Sequence, residues 1–147
     1  MTQEEKELLI KDLCGRLPYG VKVLSIKDFD HDWYNLENVD IKDNKIYVTT
    51  YESYENKYIK IEDAMPYLFP LSSMTDEQEN EWTDLRLNPL GAILEGKFNG
   101  KEEHMQLLSK SLSDPIQWCY ENHFDVHGLI PMGLALKASD GMYNQNI

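Results

Sequence analysis

Cys119, His123 and His127 recur at every fourth residue, so an unbroken helix would set one thiol and two imidazoles along a single face. Zinc accepts these ligand types. Structural zinc, however, takes four ligands at paired spacings, and no fourth ligand stands at such a spacing here. The same region could serve an enzyme, with a cysteine as nucleophile and a histidine as its base. That chemistry needs a thiolate in an electropositive, partly exposed setting. Cys14 and Cys119 both sit among apolar neighbours, so the expectation is two buried free thiols, although a disulfide between them stays open. His123 and His127 then act as hydrogen-bonding groups near a helix end. The residue types assign no metal, no cofactor and no catalytic residue.

Other patterns fail on specific positions. Asp28-Phe29-Asp30-His31-Asp32 imitates the opening of a calcium loop, but Trp33 stands where Gly is required and Val39 where Glu must close the loop. Glycine-rich phosphate loops, nucleophile elbows and the helical metalloprotease motif are absent from the sequence. The acid pairs Asp76-Glu77 and Glu102-Glu103 are neighbours along the chain and read as charge favoured at helix N-termini.

Charge narrows the partners. With 26 acids against 14 Lys and Arg, the 147 residues carry a net −12. Such a body repels phosphate backbones and anionic membranes, so direct nucleic-acid binding is not expected. The run Asp76, Glu77, Glu79, Glu81 and Asp84 reads as a solvated helix face. Its alternative is an acidic mimic of nucleic acid that inhibits a host nucleic-acid-handling protein by filling its basic groove. No apolar run reaches membrane-spanning length, and the polar, acidic start is wrong for a signal peptide; the expected location is cytoplasmic. Trp33, Tyr34, Tyr47, Tyr51 and Tyr54 fall in or beside strands and form a candidate contact patch, because Tyr and Trp dominate binding hot spots.

The elements that position these groups make an α+β chain. Thr2 and Glu5 form a capping box for a helix with Leu8, Leu9, Ile10, Leu13 and Cys14 on one stripe and Lys6, Lys11 and Asp12 outside it. Gly15 and Pro18 should end that helix. Four short strands follow as a small curled antiparallel sheet, for which a barrel-like curl is one form. Asp43-Asn44 is expected as a two-residue hairpin turn that pairs Ile41 with Ile46 and Val39 with Val48. A further turn at Glu55-Asn56 leads into Tyr58–Ile61.

Residues 65–74, broken by Pro66 and Pro70, read as a buried extended segment crossing from the strand-rich half (1–64) to a helical half (75–138). Thr75 and Gln78 cap the next helix, with Trp82 and Leu85 inside and Pro89 as its stop. Residues 90–101 read as a loop or short hairpin, and a short helix runs from Glu102 to Leu112 with Met105, Leu108 and Leu112 on one stripe. Asp114-Pro115 should start another helix, with Ile116, Cys119, Tyr120 and His123 on its buried side. The tail 139–147 should fray. The whole is expected to be a single domain.

Three stretches carry a resemblance: Leu13–Val21, Pro66–Thr75 and His123–Ala135. They resemble a family of short uncharacterised proteins encoded by gut Bacteroidales, their phages and their mobile elements. The resemblance implies a bacterial setting and accessory cargo, and carries over no catalytic residue. Residues and resemblance together lead to one expectation. The chain should be a non-enzymatic accessory protein of phage or mobile-element type that acts by protein–protein binding.

Overall fold

The computed structural model of this chain describes residues 1–28, 32–50 and 56–143. Helix α1 (Gln3–Arg16) starts on the expected box: Thr2 Oγ1 accepts the Glu5 amide at 3.1 Å, and the Glu5 carboxylate accepts the Thr2 amide. Leu9 and Leu13 are fully buried against the sheet. Asp12 does not lie outside this stripe, as its charge had suggested. It is fully buried beside Arg16, whose Nε and Nη2 donate to its two oxygens at 2.6 and 3.0 Å. Arg16 Nη2 also donates to the Phe124 carbonyl at 2.7 Å, and the guanidinium lies 5.0 Å from the Tyr120 ring centre. Gly15 does not end the helix; a Cβ there would meet the Tyr120 ring at 2.4 Å, so its hydrogen is what lets two helices close up.

Among the described residues the sheet has six strands where four were expected, and it is open, without a barrel-like closure. The strands are β1 (Lys22–Ser25), β2 (Tyr34–Asp40), β3 (Lys45–Thr49), β4 (Asn56–Lys60), β5 (Ala64–Leu68) and β6 (Leu136–Lys137), in the order β4-β3-β2-β1-β5-β6. All neighbours are antiparallel except β5 and β6. The proline-broken stretch expected to cross between layers is thus itself a strand inside the sheet. Pro66 is tolerated because β6 pairs only with Tyr67 and Leu68 and leaves the start of β5 uncovered.

The β2–β3 hairpin forms with another register. Val39 faces Ile46 and Asp40 faces Lys45, and an irregularity between Leu36 and Asn38 sets Leu36 opposite Val48. The turn is four residues long, held by Asp40 Oδ1 accepting the Asp43 amide at 3.1 Å and by Asn44 at a φ of 51°. Ile41 is left exposed at the turn, without the Ile46 partner expected for it.

Helices α2 (Asp76–Leu94) and α3 (Gly100–Glu121) pair as a hairpin joined by residues 95–99. Thr75 and Gln78 form the expected box. Pro89 does not stop α2, and Asp114-Pro115 does not restart the chain; both prolines lie inside continuous helices and are buried. A mid-helix proline costs about 3 kcal/mol locally, and packing between the two helices offsets it. A second cluster, Trp118, Cys119 and Phe124 with Phe69, Trp82 and Leu85, joins this hairpin to the end of β5. The Phe69 amide donates to His123 O, and the Asp125 amide to Phe69 O, both at 2.8 Å.

Beyond α3 the chain returns to the sheet. Asp125 accepts the Leu129 and Ile130 amides at 2.7 and 2.9 Å, capping a short turn that delivers Leu129, Leu134 and Ala135 to the main core. The start of the tail does not fray: Tyr143 donates to Tyr67 O at 2.6 Å and accepts the Lys22 amide at 2.9 Å. No helix among the described residues is long and apolar enough to cross a membrane.

Asp12→Ala leaves Arg16 buried without its counter-ion and should cost roughly 3–5 kcal/mol. The double change Asp12→Leu/Arg16→Met removes both charges and should be distinctly less destabilised, a comparison that urea unfolding of the two variants reads directly.

Candidate functional site

The fourth-residue spacing of Cys119, His123 and His127 is lost at the end of α3. His123 takes a left-handed backbone, φ 63°, while the Phe124 amide reaches back to Cys119 O at 2.8 Å and the His123 amide to Tyr120 O at 3.2 Å. This is a Schellman-type ending, where glycine is the usual residue. The three side chains then diverge. Cys119 is fully buried in the cluster with Trp118 and Phe124. His123 stacks on Tyr143 with ring centres 3.6 Å apart and planes 12° from parallel. His127 Nε2 lies 2.8 Å from Tyr120 Oη. Among the described residues no three His, Cys, Asp or Glu side chains stand close enough to hold a metal ion.

Protonation follows from burial. Cys14 and Cys119 are both pushed up by loss of solvent, so neither is poised as a thiolate at neutral pH. Burial, with the positive charges of Arg16 and Lys22, pulls the His123 imidazole down to about 4. Burial likewise lowers His127. His123 borders an open cleft of about 520 Å³ lined also by Phe69, Gln78, Glu121, Asn122 and Tyr143. Its Nδ1 is buried and finds no partner among the described residues. The His123 ring therefore stands in this cleft as a hydrogen-bonding group beside the Glu121 and Tyr143 side chains.

The described aromatic candidates, Trp33, Tyr34 and Tyr47, do not share one exposed face. Tyr34 points into the core, where its hydroxyl bonds Asp28. Half-buried Trp33 receives the Lys22 ammonium 4.2 Å from its ring centre, and that ammonium also bonds Met142 O. Tyr47 lies on the opposite, solvent face, paired across strands with exposed Tyr58 at 5.1 Å. Tyr51 and Tyr54 lie outside the described residues, as does most of the calcium-loop look-alike, Phe29, Asp30 and His31.

A different surface stands out. Met105, Leu108, Leu112 and Ile116 share one stripe of α3 and are all exposed, Leu112 at 71%. Leu87 and Leu94 of α2 are exposed as well, Leu94 at 87%. From His104 to Tyr120 the only Lys, Arg, Asp or Glu residues are Lys110 and Asp114, and both line the groove between α3 and α2. Between Met105 and Gln117 the other exposed residues are Gln106, Ser109, Lys110, Ser113 and Gln117. The stripe was legible in the sequence, but periodicity marks a face as apolar without saying what covers it. Ile116, expected inside, lies on this uncovered stripe.

At position 123 the left-handed backbone and the ring stack pull in opposite directions. His123→Gly should be about 1 kcal/mol more stable than His123→Ala, the cost of a Cβ in that conformation. A histidine whose folded pKa lies below its free value binds its proton more readily when unfolded. Wild-type stability should therefore fall as pH drops from 6.5 toward 4. His123→Asn, which tolerates the backbone without titrating, should lose less over that window in urea titrations.

Comparison with family models, curated proteins and solved structures found no match to this chain.

Proposed function

We propose that this chain is a non-enzymatic accessory protein that acts by binding another protein through the outer face of the α2–α3 hairpin. One observation carries the reading: four large apolar side chains, Met105, Leu108, Leu112 and Ile116, lie aligned and uncovered on α3. Apolar residues scattered singly over a surface are ordinary, whereas a contiguous group marks an interaction site. Depletion of charge around the stripe is the compositional sign of an interface centre. The buried Cys119 thiol, the half-buried Cys14 thiol, both pushed up by loss of solvent, and the divergent histidines support the non-enzymatic side of the reading. The resemblance to short proteins of gut Bacteroidales, their phages and mobile elements agrees with accessory cargo.

A second reading, the nucleic-acid mimic, draws on α2. Asp76, Glu77, Glu79, Glu81 and Asp84 are all exposed along its first half. An array of this kind would hold a basic groove by long-range, salt-sensitive attraction.

The two readings part in a capture experiment with host lysate. Wild-type bait should keep its partner at roughly 0.5 M salt, where exposed charges are screened within a few ångströms. A Leu94→Asp/Leu108→Asp bait should retain at least roughly tenfold less, since a charge now sits in the apolar contact. Partners that leave both baits at moderate salt would instead favour the acidic array.

A further inference from the structure

We infer that the occupant of the α3 face is a second copy of this chain, docked about a two-fold axis with the two α3 helices antiparallel. The inference rests on the protein-binding reading above and names its partner. Three features of this face point to self-association.

The first is electrostatic. Two-fold docking sets a patch against itself, so every charge near the axis meets its own like. A chain with a net −12 has few surfaces that survive this condition. The exposed face of α3 from Met105 to Gln117 does, because its only charged residues, exposed Lys110 and half-buried Asp114, lie on the side of the helix that lines the groove toward α2. The second feature is the hydrogen-bonding character of the rim. Gln106, Ser109, Ser113 and Gln117 each both donate and accept, so each can pair with an identical group.

The third feature is spacing. Met105, Leu108 and Leu112 advance by three and then four residues, the seam along which two helices pack at a shallow angle. Reversing a second α3 about a point between Leu108 and Leu112 sets Leu108 on Leu112 of the second copy, and Met105 on its Ile116. All four stripe residues are then covered over a length of roughly 16 Å. Two hairpins joined in this way make a four-helix arrangement, a common form for such pairs.

Sedimentation equilibrium of the full chain tests this. The wild type should be a dimer with a dissociation constant on the order of 10 µM, as suits a small apolar contact. Raising salt should tighten the dimer, because screening relieves repulsion between two acidic bodies and the contact contains no ion pair to lose. Leu108→Asp and Leu112→Asp should each weaken association at least about tenfold, and the milder Leu112→Ser should move the same way. Ile41→Asp, at an exposed isoleucine in the β2–β3 turn, should associate like the wild type. Unchanged thermal unfolding would show that the variants fold. A wild type monomeric at every concentration, a dimer indifferent to Leu112, or a dimer dissolved by salt each overturns the second copy as occupant. If that monomer still holds a host protein through Leu94 and Leu108, the protein-binding reading stands and only the partner assigned here falls.

Discussion

Everything in this fold closes around a single buried charge pair. Asp12 and Arg16 sit one turn apart on α1 with no solvent reaching either, and the guanidinium also takes the carbonyl of Phe124. Isolating either ion inside the protein would be costly, so the pair forces α1, α3 and the segment after α3 to meet at one place. Gly15 and Tyr120 show how close that meeting is: the ring occupies the space a side chain at position 15 would need. The Arg16 Nη1 donor is left without an acceptor, so the pair is not fully satisfied. Its contribution is to fix which surfaces touch more than to add net stability.

Fixing that junction divides the molecule into two regions of different character. On one side, α1 covers one face of the open sheet and Tyr143 anchors the chain after β6 across β1 and β5. On the other, the α2–α3 hairpin joins the sheet through the Trp118–Cys119–Phe124 cluster and exposes much of its apolar surface. The buried prolines of both helices belong to the same arrangement. Each weakens its own helix, and neither helix would be expected to run through its proline without the other beside it.

His123 shows how a residue that suggests chemistry can be held for architecture. The left-handed position it occupies usually goes to glycine, and its ring is retained against Tyr143, close to Lys22 and Arg16. That environment keeps the imidazole neutral and turns the chain out of the helical phase that would have aligned it with Cys119 and His127. The cleft beside it is polar and open, and Glu121 and Tyr143 line it together with His123.

Local signals in the chain were sufficient for several elements. The two capping boxes, the inward Ile46 and Val48 of β3 and the burial of Cys119 all follow from residue type and spacing, because each depends on neighbours within a few residues. The α+β class follows from their order. What the chain could not announce lay in contacts between distant segments. Asp12 looked solvated because charge usually is; only Phe124 and Tyr120, more than a hundred residues on, make an interior site for its partner Arg16. Pro89 and Pro115 looked like helix ends because their local cost is real, and pairing of the two helices overrides it. The strand at 64–68 looked like part of a crossing because Pro66 hides the ladder that β1 completes. The stripe on α3 was plain in the periodicity, yet whether such a stripe meets the core or solvent is decided by where the rest of the chain goes, which no window of sequence contains.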